Sequence, residues 1–210
     1  MGFMDSLYRQ GSKPSGLIGT LIGRGMNSGH GRFREWALER VAIEPDAQIL
    51  DAGCGGGKTI QVLAGQAGKG KVFGIDYSRE MVRLAEKVNR DSIEAGAVEI
   101  VHGTVSSMPY PDDSFDLVTA FETYYFWPDY VKDLREICRV LKPGGRVLVF
   151  NEGYEDGKPS KRKSAFERAT GVRTQTPGET EAILEEAGFS SIETTTHPEN
   201  NWIMFLATKA

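Results

Sequence analysis

A glycine-rich loop is the segment of this sequence whose residue types and spacing could bind a ligand. Residues 51–57 read Asp-Ala-Gly-Cys-Gly-Gly-Gly and end an apolar stretch that begins at Gln48. Because glycine has no Cβ, the backbone N–H groups of such a loop can approach a ligand closely. Asp51 stands at the root of the loop, and Asp76 follows about 20 residues past it. Three classes of ligand use loops of this kind.

Two of these classes carry phosphate groups. For a nucleoside triphosphate, Ala52 to Thr59 fits the pattern G-x-x-x-x-G-K-[ST] if alanine replaces the first glycine. Asp51 would repel the phosphates, however, and the predicted fourth strand ends in Ala120-Phe121-Glu122, without an apolar run followed by the aspartate that holds magnesium. For a dinucleotide, the G-x-G-x-x-G spacing fails, because Lys58 stands where the third glycine is required. Both phosphate ligands are therefore disfavoured.

The third class is a sulfonium cofactor, S-adenosylmethionine, which carries an α-ammonium group and no phosphate. Asp51 can hold the ammonium group directly or through water, and the glycines let the backbone lie against the methionine part. Asp76 can accept hydrogen bonds from both ribose hydroxyls. Each aspartate could instead only cap a helix, but two of them flanking a triple-glycine loop favour the sulfonium cofactor.

The elements that must position these residues alternate along the chain. Short apolar runs separated by helical patterns predict a parallel sheet covered by helices. The predicted strands cover residues 48–52, 71–76, 98–102, 115–121 and 146–151. A helix is predicted over residues 59–67, and Ser78 is predicted to cap the next one.

The second half of the chain continues this alternation of helices and strands and ends in a predicted antiparallel pair. Pro128 suits the first turn of a helix that stops at residues 142–145. Thr176-Pro177-Gly178-Glu179 has the spacing of a capping box, which predicts a helix that runs to Ala187 with Gly188 as its C-cap. Residues 191–196 and 202–208 predict a closing antiparallel pair.

Two segments fall outside the alternation. In residues 1–45 the apolar positions Phe33, Trp36, Ala37 and Val41 predict an amphipathic helix. Residues 153–175 are polar and basic, which is typical of a solvated connection but could also attract an anionic acceptor or RNA. We expect a single domain over residues 1–210: an N-terminal helical lid (1–45), a cofactor-binding core (46–152), and an acceptor-side insert with the closing hairpin (153–210).

Composition narrows the class of protein further. The chain has 210 residues, of which 40% are hydrophobic and 26% charged, with a net charge of -4. This charge creates no field that would gather nucleic acid or an anionic membrane, and no apolar run approaches the roughly 20 residues of a membrane span. Cys54 and Cys138 form no C-x-x-C pair, so neither a disulfide framework nor a metal site is expected. We expect a cytoplasmic protein without a secretory signal.

Four motifs resemble those of class I S-adenosylmethionine-dependent methyltransferases, especially the branch like the ubiquinone/menaquinone-biosynthesis enzymes (methyltransferase type 11). They are the segments 49–57 (ILDAGCGGG), 72–78 (VFGIDYS), 108–118 (MPYPDDSFDLV) and 134–145 (LREICRVLKPGG). The resemblance extends over residues 48–151. It implies an α/β, Rossmann-like seven-stranded sheet of order 3-2-1-4-5-7-6, with strand 7 antiparallel and helices on both faces.

The resemblance also implies which residues contact the cofactor. The loop would line the methionine part, Asp76 would bind the ribose, and Tyr77 and Met81 would flank the adenine. Thr104 stands where the family commonly has an aspartate that holds the adenine amino group. The full set implied for the cofactor is Asp51, Ala52, Gly53, Cys54, Gly55, Asp76, Tyr77, Met81, Thr104, Val105 and Phe121.

The methyl acceptor would be met by loops beyond the donor methyl group. Tyr124 and Tyr125, in a run of four aromatic residues after the fourth strand, could position it, and His30 could serve as a general base. The family's Asn/Asp-Pro-Pro-Tyr signature for planar nitrogen acceptors is absent. We therefore expect methyl transfer to a small organic molecule rather than to nucleic acid. An RNA methyltransferase and a non-catalytic cofactor-binding regulator remain as alternatives.

Overall fold

The computed structural model describes residues 31–158 and 160–210, and all seven strands lie in one sheet. The strands are β1 (Gln48–Ala52), β2 (Lys71–Asp76), β3 (Val98–His102), β4 (Phe115–Phe121), β5 (Leu141–Asn151), β6 (Phe189–Thr196) and β7 (Ile203–Lys209). Their order is β3-β2-β1-β4-β5-β7-β6. Neighbours among β1 to β5 pair in parallel, whereas β7 is antiparallel to both β5 and β6. The predicted α/β fold and strand order are confirmed.

Helices connect the strands and begin at the residues that capping chemistry favours. They are α1 (Gly31–Leu38), α2 (Lys58–Ala67), α3 (Arg79–Val88), α4 (Arg90–Glu94), α5 (Tyr130–Val140), α6 (Lys161–Thr170), α7 (Pro177–Glu186) and a short 3-10 helix (Tyr124–Phe126). Ser78 accepts a hydrogen bond from the amide of Met81, and Thr176 forms the predicted capping box with Glu179.

Several boundaries differ from the sequence-based expectation. Helix α5 begins after Asp129, whose side chain caps it, so Pro128 lies before the helix rather than in its first turn. Strand β5 begins at Leu141 and not at Arg146, because Leu141 already pairs with Phe115 on β4 before a register shift. Helix α7 ends at Glu186, one residue before the predicted end, and the C-cap is Ala187 instead of Gly188.

Helix α6 lies in the polar segment for which no helix was predicted. Ala169 is its buried hydrophobic residue, so the apolar periodicity that reveals other helices is missing. Its ends explain why it forms. Ser160 accepts a hydrogen bond from the amide of Lys163, and Gly171 adopts the left-handed conformation that terminates helices.

Two apolar cores lie on opposite faces of the sheet, because successive side chains of a strand point to opposite sides. Leu50 and Val118 belong to the core that α5 and α7 cover, whereas Ile49 and Leu117 belong to the core covered by α1, α2 and α3. Both faces of the central strands are therefore buried, as in other parallel sheets. No helix within the described ranges 31–158 and 160–210 is long and apolar enough to cross a membrane.

Helix α1 packs across β5 and beside the closing hairpin. Phe33 stacks on Phe150 with ring centroids 4.6 Å apart and meets the edge of Trp202 at 6.1 Å. Trp36 contacts Trp202 and His197, and Arg40 lies over its ring. These contacts hold the helix at the carboxyl end of the central strands, where ligands bind in open α/β sheets.

Candidate active site

The loop between β1 and α2 turns sharply enough to need glycine at its first position. Gly53 has a φ of 75°, and a Cβ there would lie 2.1 Å from the hydroxyl oxygen of Thr123 in the loop after β4. The amides of Gly53 and Cys54 both donate to the carbonyl of Ile75 at the end of β2. The loop is therefore held between the ends of β2 and β4, and its backbone lies in a cavity between them.

Asp51 brings a buried carboxyl group to the start of this loop. Only 2% of the residue is exposed, and its Oδ1 accepts a hydrogen bond of 2.8 Å from the hydroxyl of Thr119 on β4. Burial raises the pKa of Asp51 to about 7, although the Thr119 hydrogen bond and the charge of Arg34 act in the opposite direction. A cation placed beside this carboxyl group would favour its charged form.

Asp76 is the last residue of β2, and its carboxylate accepts hydrogen bonds from two backbone amides. Its Oδ2 accepts from the amide of Gly55, and its Oδ1 accepts from the amide of Ser78, both at 2.8 Å. Burial raises the pKa of Asp76, while these two backbone hydrogen bonds lower it. An ionised carboxylate can accept about four hydrogen bonds, so two donors leave capacity for hydroxyl groups of a ligand.

A single cavity of about 700 Å³ joins these carboxyl groups to the loop after β4. It contains most of the residues that the sequence analysis assigned to the cofactor: Asp51, Gly53, Cys54, Gly55, Asp76, Tyr77, Met81, Thr104, Val105 and Phe121. Burial raises the pKa of the Cys54 thiol well above its usual range, which keeps it neutral. Ala52 does not line the cavity, since its side chain packs in the core on the α5 side of the sheet.

The other end of the cavity is aromatic. Tyr125, Phe126, Trp127 and Tyr130 line it, and the ring of Phe166 on α6 contacts both Tyr125 and Phe126. The hydroxyl of Tyr125 donates to Oε2 of Glu122 at 2.7 Å. This end therefore offers flat apolar surfaces beside a carboxylate–phenol pair.

Of the residues predicted to act on the methyl acceptor, Tyr124 lies outside the cavity. Tyr124 is 1% exposed, does not line the cavity, and donates its hydroxyl hydrogen bond to Gln175 at 3.1 Å, because the 3-10 helix turns its ring toward Trp127 and Tyr130. His30 lies outside the described residues.

Arg34 is a cavity residue for which no role was predicted from the sequence. It is 5% exposed, its Nε donates to the hydroxyl of Thr59 at 3.1 Å, and its charge acts on Asp51. Burial lowers the pKa of the guanidinium group. The signal was present in the sequence: Arg34 shares one helix face with Ala37 and Leu38, and a charge on an apolar face needs a partner.

The basic segment also contributes to the cavity, through the end of α6 and the residues after it. Thr170, Gly171, Val172 and Arg173 line the cavity, and the charge of Arg173 acts on Tyr130. Arg173 forms an ion pair with Glu179 at 2.8 Å, and Lys163 forms one with Glu155 at 2.8 Å. The basic segment is therefore folded beside the cavity, and carboxylates form ion pairs with some of its positive charges.

Comparison with known proteins agrees with this geometry. The model of the methyltransferase domain family matches residues 50–149. Demethylmenaquinone methyltransferase of Bacillus mycoides is 36% identical over 136 residues, which cover 60% of this chain and 57% of that protein. The corresponding enzyme of Bacillus licheniformis is 34% identical over 120 residues, covering 57% and 50%. The chain thus spans about half the length of the curated relatives it matches.

Solved structures show the same fold at lower identity. An S-adenosylmethionine-dependent methyltransferase from Aquifex aeolicus is 22% identical with a TM-score of 0.70, and the match covers 100% of both chains. Phosphoethanolamine N-methyltransferase 2 of Haemonchus contortus, solved with S-adenosyl-L-methionine, has a TM-score of 0.74 at 20% identity, covering 85% of this chain and 52% of that one.

The strand order and the family match point to the same class of protein, the class I, S-adenosylmethionine-dependent methyltransferases. Residues 50–149 match the methyltransferase domain family, and the curated relatives are demethylmenaquinone methyltransferases. The cofactor of this class is S-adenosylmethionine. The cavity fits it, because an ammonium group beside the buried Asp51 carboxyl would stabilise its charged form, and the carboxylates of Asp51 and Asp76 would repel phosphates.

Proposed function

We propose that this protein transfers a methyl group from S-adenosylmethionine to a small organic acceptor. The observation that carries the proposal is the continuous cavity, which joins the carboxyl groups of Asp51 and Asp76 to an aromatic chamber after β4. Methyl transfer is a displacement at an already activated carbon. The protein contributes alignment of the two reactants and exclusion of water.

The residue roles follow from charge and position. Asp51 would hold the α-ammonium group of the cofactor, Arg34 would bind its carboxylate, and Asp76 would accept the ribose hydroxyls. At the adenine end Tyr77 and Met81 would flank the ring, while Thr104 and Val105 would meet its edge. The aromatic chamber with Tyr125 would then receive the acceptor.

The lining of the chamber supports a small acceptor. The relatives are named for demethylmenaquinone, an organic molecule, and the chamber of this chain is formed by Tyr125, Phe126, Trp127 and Tyr130. Lys163 and Arg173 of the basic segment are paired with Glu155 and Glu179, which weakens the case for RNA. We infer an acceptor with a flat apolar part.

Two measurements test the proposed function. Isothermal titration calorimetry should show binding of S-adenosylmethionine and of S-adenosylhomocysteine, and incubation with labelled S-adenosylmethionine and a metabolite extract should label one small molecule. Absence of binding at millimolar ligand would refute the cofactor assignment. Binding without any labelled product would favour a cofactor-binding regulator instead, and label in RNA would favour an RNA methyltransferase.

A further inference from the structure

Glu122, the first residue after β4, has a backbone conformation that residues other than glycine rarely adopt. Its φ is 57°, and such conformations cost on the order of 1–3 kcal/mol unless surrounding contacts fix them. Here the contacts come from the end of β5: the amide of Glu122 donates to the carbonyl of Phe150 at 3.0 Å, and its carboxylate accepts from the amide of Glu152. Conformations of this kind cluster at functional sites.

The strained backbone places a carboxylate on the acceptor side of the cavity. Glu122 and Tyr125 both line it, and their side chains are joined by the hydrogen bond of 2.7 Å. The neighbouring residue Thr123 packs against Gly53 of the cofactor loop, so the pair lies next to the methionine end. A phenolic oxygen accepts hydrogen bonds as well as donating one, so an O–H or N–H group in the chamber can be linked through Tyr125 to Glu122.

We propose that Tyr125 and Glu122 form a relay that removes the proton of the methyl acceptor. This inference rests on the proposed methyl transfer. A lone pair of the acceptor forms the bond to the methyl carbon, and the electron pair of the broken carbon–sulfur bond stays on sulfur. The acceptor proton passes to the oxygen of Tyr125 while the Tyr125 proton passes to Glu122. The carboxylic acid that results returns its proton to solvent.

Other charged and titratable groups line the same cavity and contribute to the electrostatic environment of Tyr125 and Glu122. Tyr130 on α5 donates its hydroxyl hydrogen bond to the carbonyl of Tyr125 at 3.4 Å. Among the residues that the structure describes, the other titratable groups on the cavity wall are Arg34, Asp51, Cys54, Lys58, Asp76, Tyr77 and Arg173. Since a substitution at Glu122 leaves all of these in place, comparison of variant and wild type isolates the charge of Glu122.

The test uses a phenol whose ionisation is visible. The full chain is saturated with S-adenosylhomocysteine, 4-nitrophenol is added as the probe, and the absorbance of its phenolate is followed against pH. The charge of Glu122 disfavours a second negative charge, so the midpoint of the bound probe should lie about one pH unit or more higher in wild type than in Glu122→Gln. The single carbonyl oxygen of glutamine can still accept from the amide of Glu152, and its NH2 group can donate to the hydroxyl oxygen of Tyr125, so the loop keeps both contacts.

A second variant removes the other half of the relay. In Tyr125→Phe the affinity for the neutral probe should fall about 2- to 10-fold, the range of one lost hydrogen bond. This affinity measurement does not require that the Glu122→Gln variant folds. Tyr110→Phe is the matched control, because Tyr110 packs between Phe73 and Phe115 and does not line the cavity. Its midpoint and affinity should equal those of wild type.

Each outcome supports or overturns the relay. Equal midpoints in wild type and Glu122→Gln, unchanged affinity in Tyr125→Phe, or a wild-type protein that binds no probe would overturn it. Calorimetry with S-adenosylhomocysteine separates this failure from a failure of the proposed function. Binding of that ligand together with a negative probe result overturns the relay alone, whereas loss of both overturns the cofactor assignment as well.

Discussion

The carboxyl group of Asp51 is buried at the start of the cofactor loop, and its pKa in the folded chain is about 7 against 3.8 for an exposed aspartate. Between these two values the folded state binds a proton that the unfolded state has lost. Stability therefore falls as the pH rises through this interval, and the full cost is present above pH 7. The same carboxylate is the group proposed to bind the ammonium of the cofactor.

We therefore predict opposite effects of Asp51→Asn on stability and on binding. At pH 8 the melting temperature of the ligand-free variant should exceed that of wild type by several degrees, and the difference should shrink toward pH 4, where the wild-type carboxyl is protonated. Affinity for S-adenosylmethionine should fall about 10- to 100-fold at pH 8. Scanning calorimetry and titration calorimetry measure the two effects, and a variant that binds like wild type would contradict the role of Asp51.

Arg34 is predicted to act on the carboxylate of the cofactor. Arg34→Met should weaken binding of S-adenosylhomocysteine about 10-fold or more, since it removes a charged hydrogen bond. Methylthioadenosine lacks the amino-acid part, so its affinity should hardly change. Arg32→Met is the matched control, because Arg32 lies on the same helix but is exposed and does not line the cavity. A parallel loss of both ligands would show that Arg34 acts on the fold instead.

At the scale of elements, the loop between β1 and α2 packs so closely against the loop after β4 that no side chain fits at Gly53. Gly53→Ala would place a Cβ 2.1 Å from the hydroxyl oxygen of Thr123 and would require a φ of 75°. We expect this variant to lose several degrees of melting temperature and most of its cofactor affinity. Thermal unfolding and titration calorimetry measure both effects.

Gly65→Ala is the control for this prediction. Gly65 lies within α2, and a Cβ there meets nothing within 4 Å. Alanine in a helix is more favourable than glycine by about 0.5–1 kcal/mol, so this variant should be as stable as wild type or more stable, with unchanged affinity. If both alanine variants behaved alike, the close approach of the two loops would not explain the requirement for glycine at position 53.

At the scale of the whole molecule, the closing hairpin supports the cofactor cavity through α1. Trp202, just before β7, contacts Phe33, Trp36 and Phe150, and Phe33 lines the cavity beside Arg34. Trp202→Ala should lower cofactor affinity severalfold and reduce the melting temperature, although Trp202 does not line the cavity. Trp202→Phe, which keeps an aromatic ring, should preserve most of both. Unchanged affinity in Trp202→Ala would show that α1 holds its position without the hairpin.

The core of the fold was predictable because its signals are local. Strands β1 to β4 have the predicted bounds, since each is a short apolar run bounded by turn residues. The capping box at Thr176 was predictable for the same reason. Helix α6 was not predicted, because its helical pattern has almost no apolar face, and the start of β5 depends on pairing with Phe115, a residue far away in sequence.

The sequence by itself determined the class of fold and the cofactor loop, because glycine spacing and the flanking residues Asp51 and Asp76 are properties of neighbouring positions. Only the tertiary structure decided which distant side chains share the cavity. It brought Arg34 to the cavity that contains Asp51, buried Tyr124, and joined Tyr125 to Glu122. These placements depend on how α1 and the loop after β4 pack on the sheet, and long-range packing leaves little trace in local patterns.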